Sequence, residues 1–326
     1  MRCFVRVFLV GLALAVALVV SWFAGPRVAI DKTLDEVGLP ESPAEIAEWI
    51  QEQEALVPDL VEGTEKRVTL VPEVEGRTPL SVVFIHGFTA TRQEVDPVAV
   101  RVAERLGAHL FEARVAGHGR TDPDALLEST VNAWVNDAAE AVEIGRRLGD
   151  EVVVIGASTG ASTLLWLMAQ PGQQENVAAL IAMAPNFGVP DERAEMVIGP
   201  WGLQLAKRFL GDYTGWEPIN EDHATYWTPR YPTPAVGPPV ALGVMAREAA
   251  LESIRVPTTV MYSKKDQVID PAKLEAAFVR IGGGEGDHQL MAVETEHDEG
   301  HILAGRIISP GTVDEMVERV LGRVAP

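Results

Sequence analysis

The pentapeptide Gly156-Ala157-Ser158-Thr159-Gly160 sets a serine between two glycines, each two residues away. The apolar run 151–155 before it reads as a buried strand, and the run 161–169 after it reads as a helix. A serine on such a sharp strand-to-helix turn has its hydroxyl lifted clear of the sheet edge. Bulk at position 156 or 160 would keep strand and helix apart. The plainer alternative is a glycine-rich turn without chemistry. What decides between them is company: a serine hydroxyl is a poor nucleophile at neutral pH, and needs a base that is itself oriented by a carboxylate.

Two carboxylates compete for the acid. The predicted strand 258–262 is followed by Ser263-Lys264-Lys265-Asp266. Asp266 lies just past the strand end, where its carboxylate can reach the sheet edge. Asp270 precedes Pro271 and suits the cap of a helix that opens on the proline. Asp266 is therefore the expected acid. Two histidines compete for the base, both after the last predicted strand, 289–294. His301, between Gly300 and the apolar Ile302-Leu303, suits a tight loop presenting an imidazole. His297, flanked by Glu296, Asp298 and Glu299, suits a solvated acidic loop and is the second candidate. His223 is a poor candidate, and His288 is expected at the surface. An oxyanion needs two aimed N–H donors. Thr159, directly after the serine, supplies one. Phe88, in His86-Gly87-Phe88-Thr89 after the strand 80–85, is placed to supply the other. His86 and His118 are expected to be hydrogen-bonded core histidines. No helical histidine pair for a metal and no phosphate cradle is present, and no cofactor is expected; the glycines at 282–286 read as a turn.

These groups need elements to hold them. Strands are predicted at 67–71, 80–85, 108–113, 151–155, 178–183, 258–262 and 289–294. Helices are predicted at 96–106, 121–148 with a break, 161–169, 272–281 and 312–321. This alternation predicts an α/β fold: a mostly parallel sheet with helices on both faces. One segment, 186–250, breaks the rhythm. It is rich in proline and carries Trp201, Trp216, Trp227, Tyr213, Tyr226 and Tyr231. It is expected to be a lid over the strand ends, with Trp216 and Trp227 offering apolar surface to substrate. Upstream, 28–65 reads as a linker with one helix at 43–54, and 66–326 as the catalytic domain.

The chain has 326 residues and a formal net charge of -20. That excludes a nucleic-acid binder, which needs a basic face. Cys3 is the single cysteine, so no intrachain disulfide is possible. Residues 7–24 are uncharged and apolar over about the length of a bilayer, with Arg2 and Arg6 before them. Residues 1–27 are expected to be a membrane anchor, with the rest of the chain outside the cytoplasm. A cleaved signal peptide, and hence secretion, is the alternative.

Taken together, His86-Gly87-Phe88-Thr89, Ala113–Gly119, Gly156–Gly160, Ser263–Asp266 and Gly300-His301 resemble the carboxylesterase and monoacylglycerol-lipase branch of the α/β-hydrolase superfamily, of serine aminopeptidase S33 type. The resemblance covers about residues 65–326. It implies a small-molecule ester as substrate, and a pocket whose entrance is lined by Phe88 and Thr89. Ala161 stands where many members have another glycine. The resemblance leaves two other readings: an aminopeptidase, whose amine site Glu217, Glu221 and Asp222 could form, and an inactive hydrolase fold used for binding.

Overall fold

The computed structural model describes residues 2–324, without the side chains of residues 2, 3, 5 and 7. The expectation for Cys3 falls on one of those side chains. The first helix, α1, runs Arg2–Phe23, and its described side chains are exposed. Among the described residues no helix is long and apolar enough to cross a membrane. The apolar run 7–24 includes Val7, whose side chain lies outside the description.

Helix α2, Pro43–Glu54, starts where the sequence places it. Ser42 accepts the Glu45 N–H while the Glu45 side chain accepts the Ser42 N–H, and Pro43 occupies the first turn. The segment 28–65 is not a plain linker, however. Ile46 and Ile50 are buried in the main core, and α2 packs on β1 (Arg67–Thr69). The reason lies at its last residue. Glu54 receives both the Nε and Nη2 hydrogens of Arg114, each at 2.8 Å, and both side chains are buried. Removing one partner of a buried pair strands the other charge. Glu54→Ala is thus expected to lose about 3 kcal/mol of unfolding free energy, measured by chemical denaturation. An unchanged midpoint would make α2 an accessory to the domain.

The domain then alternates as predicted. Strand β2 (Thr78–Ile85) leads to α3 (Val98–Leu106), and β3 (His109–Glu112) to α4 (Val131–Leu148). The break expected before α4 is real: Pro123–Glu128 is a separate turn of 3-10 helix, and Thr130 caps α4. Strand β4 (Gly149–Ala157) runs straight into α5 (Ser158–Met168), and β5 (Val177–Met183) follows. After the insertion come β8 (Thr258–Tyr262), α9 (Pro271–Phe278), β9 (His288–Ala292) and α10 (Val313–Val324).

The sheet order is β1-β3-β2-β4-β5-β8-β9. Only β1 is antiparallel to its neighbour. The central strands are nearly continuous Val/Ile/Leu runs because both faces are covered. Helices α3 and α10 lie on one face; α4, α5 and α8 (Gly237–Glu248) lie on the other. The chain leaves β2 toward β3 on one side, then crosses to β4 on the other. That reversal opens a crevice at the carboxyl ends of β2 and β4, where the 86–89 loop and Ser158 sit.

The insertion holds α6 (Gly202–Leu210), the hairpin β6 (Tyr213–Gly215) and β7 (Arg230–Pro232), and α7 (Glu221–Tyr226) between them. The expected lid boundary at 250 is too late. Helix α8, Gly237–Glu248, buries Ala241, Leu242, Met245 and Ala246 and packs on α5. Its place is therefore in the wall of the domain, and its two prolines sit in the first turn, where helices tolerate them. His288 also departs from expectation. It opens β9, half-buried, with both ring nitrogens lacking a hydrogen-bond partner among the described residues.

Candidate active site

Ser158 has φ 48°, a left-handed conformation that costs a non-glycine residue energy. The neighbouring glycines explain why it is held there. A Cβ on Gly156 would come within 2.7 Å of the Ala161 Cα, and one on Gly160 within 2.4 Å of the His86 oxygen. Ala161 itself is fully buried, so its methyl is accommodated. The Ser158 carbonyl is fixed from two sides, by the Ser162 hydroxyl at 3.1 Å and the Asn186 N–H at 3.2 Å.

The structure brings Ser158, His301 and Asp266 together. Nε2 of His301 lies 3.0 Å from Ser158 Oγ, and Nδ1 lies 2.8 Å from Asp266 Oδ2. Because Nδ1 faces a carboxylate it carries the hydrogen, which leaves Nε2 as the acceptor for the serine hydroxyl. The other Asp266 oxygen accepts the N–H groups of Val268 (2.8 Å) and Ile269 (2.9 Å), so the carboxylate cannot rotate away. Gly300, φ 73°, lets the histidine loop close on the aspartate loop; a Cβ there would sit 3.0 Å from the Lys265 carbonyl. All three side chains are buried. The family described as serine aminopeptidase, S33, matches residues 77–294.

The chain belongs to the serine aminopeptidase S33 family.

It is a hydrolase, serine-type by its fold. Among related proteins is a thermostable monoacylglycerol lipase from Bacillus sp. (strain H-257), 24% identical over 207 residues, covering 64% of this chain and 78% of that protein. Similar folds occur in a lipolytic enzyme of the metagenome-derived LipS and LipT pair (TM-score 0.63, 20% identity, 81% and 98% of the two chains). The Saccharomyces cerevisiae monoglyceride lipase (0.53, 13%, 80% and 92%) is another, as is the Paleococcus ferrophilus monoacylglycerol lipase (0.52, 15%, 79% and 98%). At these identities the likeness is one of fold.

The remaining candidate residues divide clearly. Asp270 caps α9, its Oδ1 accepting the Ala272 N–H at 2.9 Å, and does not reach His301. His297 stays in its acidic loop, where its Nδ1 accepts the Glu299 N–H. His86 does more than fill the core. Its Nε2 accepts the Val115 N–H (3.1 Å), so Nδ1 carries a hydrogen and donates to the Gly87 oxygen (2.8 Å). Burial, against that hydrogen bond, takes its pKa down to about 4 and keeps it neutral. The Gly87 oxygen also accepts from the Ala90 N–H at 3.2 Å. The planar peptide 87–88 is thereby fixed through its oxygen, and the Phe88 N–H must point the opposite way. Thr159 N–H, in the first turn of α5, is one of the donors a helix leaves unpaired.

The expected substrate contacts are placed differently. Thr89, φ 66°, is buried, and its carbonyl holds the Thr228 N–H of the insertion at 2.9 Å. Trp227 is buried in a satellite cluster with Ala90, Ile307 and Ile308, and Trp216 packs on its edge. His223 stacks on Trp216 with ring centroids 4.3 Å apart and meets Trp227 edge-on at 4.8 Å. Neither tryptophan lines the small cavity at Ser158. Packing the insertion onto the 89–90 loop is the visible role of Trp227, because that loop and the tail after His301 are what it touches. Among the carboxylates considered for an amine site, Glu217 and Glu221 are exposed, and Asp222 is paired with Arg306 at 2.8 Å. One residue of the site had no warning in the sequence. Glu94 is buried, and it lines that cavity with Ser158 and His301.

Proposed function

We propose that this protein cleaves carboxylic esters through Ser158, His301 and Asp266, by way of an acyl-enzyme. The observation that carries it is the unbroken hydrogen-bond line from Asp266 through His301 to Ser158. Ser158 Oγ attacks the ester carbonyl carbon while His301 Nε2 takes its proton. Asp266 keeps the imidazole in register and stabilises the imidazolium. The carbonyl oxygen, now an anion, lies between the N–H groups of Phe88 and Thr159. His301 returns the proton to the departing alkoxide, which leaves as the alcohol. Water then enters and its oxygen bonds the acyl carbon as His301 takes its proton; the acyl–Oγ bond breaks as His301 returns that proton to Ser158, and the carboxylic acid leaves. Support for an ester over an aminoacyl amide comes from the lipases among its relatives and from the outward placement of Glu217, Glu221 and Asp222. Turnover of p-nitrophenyl acyl esters is expected, with little turnover of aminoacyl p-nitroanilides. The reverse preference would make it a peptidase.

The same reading places the enzyme on a membrane through residues 7–24, with the catalytic domain outside the cytoplasm and 186–236 acting as a lid. What supports this is the uncharged run itself and its neighbour in the lid. Trp201 donates its indole N–H to the Ser21 oxygen and its backbone N–H to the Pro26 oxygen, each at 2.9 Å. Helix α6, which follows it, exposes Leu205, Phe209 and Leu210. The full-length protein should stay in the pellet when membranes are washed with alkaline carbonate. Release into the supernatant would remove the anchor from the proposal.

A further inference from the structure

The ester mechanism leaves one buried acid unused. Glu94 ends the short 3-10 helix Arg92–Glu94, is almost fully buried, and sits beside the nucleophile. Its Oε2 accepts the Gly87 N–H at 2.6 Å, a short contact for a backbone donor. The packing here has no slack. A Cβ on Gly87 would lie 2.9 Å from Ser158 Cβ and 3.0 Å from Glu94 Oε1. His86 already fixes the peptide after Gly87 through its oxygen. Glu94 fixes the peptide before Gly87 through its nitrogen. With both flanking planes held, neither dihedral of Gly87 is free, and this glycine alone lies between the two planes. We infer that Glu94 is a positioning residue: it pins Gly87 so that the Phe88 N–H stays aimed at the oxyanion, and it sets a second carboxyl in the small cavity that His301 and Ser158 also line.

Charge supports the second half of that statement. Burial pushes the Glu94 carboxyl up to about 7, opposed by the Gly87 hydrogen bond and by the charge of His301. In return, Glu94 is among the groups that favour a protonated His301, with Asp266 foremost and Glu299 also contributing. An ionised Glu94 therefore favours the imidazolium that forms as Ser158 attacks.

The inference rests on the esterase reading, and its test separates the two. Wild type, Glu94→Gln and Glu94→Ala are compared on one p-nitrophenyl ester, as kcat and KM across pH. Glutamine keeps an acceptor for Gly87 but loses the charge; alanine loses both. Alanine is expected to cost ~100-fold in kcat with KM little changed, the signature of a donor used only in the transition state. Glutamine should recover kcat to within about tenfold of wild type. It should also move the acidic limb of kcat/KM to lower pH, because His301 loses a neighbouring carboxyl. A structural role alone would not move that limb. Glu94→Ala with wild-type kcat, glutamine no better than alanine, or an unmoved limb overturns the inference. A wild-type protein inert to every ester overturns the esterase reading and this inference with it. Thermal melts of the three proteins identify an alanine variant that fails by unfolding, and the glutamine variant then decides.

Discussion

Ser158→Ala should lose ester turnover by ~10⁵–10⁶-fold, with substrate binding and fold preserved. The side chain touches His301 and little else that packing requires, since the elbow is built from Gly156, Gly160 and the two bonds to the Ser158 carbonyl. Labelling by a fluorophosphonate should vanish in the same variant. The strained backbone supplies a control. Ser158→Gly removes the nucleophile as completely as alanine does, yet glycine accepts φ 48° without penalty. The glycine variant should therefore be more stable than the alanine variant, by about 1 kcal/mol in chemical denaturation. Turnover near wild type in either protein would end the mechanism. Equal stability of the two would mean that the elbow stores no strain.

His301→Ala should be as damaging, ~10⁵-fold or more in kcat, while His297→Ala keeps activity within about threefold. The pH profile gives the reason a sign. Burial by itself would lower the His301 pKa, but the hydrogen bond and charge of Asp266, with Glu94 and Glu299, more than reverse it and raise it above the ordinary histidine value. Only the neutral ring can accept the serine proton. In wild type, kcat/KM should accordingly fall as pH drops through that raised pKa, so the acidic limb lies above the ordinary histidine value. A limb at or below that value would mean that the carboxylates do not govern the ring. A dead His297 variant beside an active His301 variant would exchange their roles.

The sequence discloses this site unevenly, for physical reasons. Asp266, Ser158 and His301 were legible because each follows a recognisable strand, and strand ends converge on one edge of a parallel sheet. Helix α2 was legible to the residue because Ser42, Pro43 and Glu45 are start signals that act locally. Helix α8 was obscured by its own beginning. Gly237-Pro238-Pro239 looks like loop, and the apolar surface behind it is mostly alanine and glycine, which suit close packing on α5 but give a weak periodic signal. For Trp227 the sequence offers residue type alone, and type does not say whether an aromatic faces a ligand or a neighbouring loop. Glu94 lay beyond any local reading. Thr91-Arg92-Gln93-Glu94 has the composition of a solvated turn, and only tertiary packing reveals that its carboxyl is buried against Gly87.

The two hydrogen bonds from Trp201 bear on how the proposed lid would open. They fasten the start of α6 to the chain at Ser21 and Pro26, and Gly25 lies flat against the indole because a Cβ there would fall 2.4 Å from the ring. A flap attached at one end only can swing freely. In the lid proposed above, this clamp at the corner nearest α1 would confine opening to the far corner, around Asn220–Trp227, which contacts the 89–90 loop and Ile307. On that proposal, the doorway to the nucleophile has its hinge post on the apolar helix and its latch on the 89–90 loop.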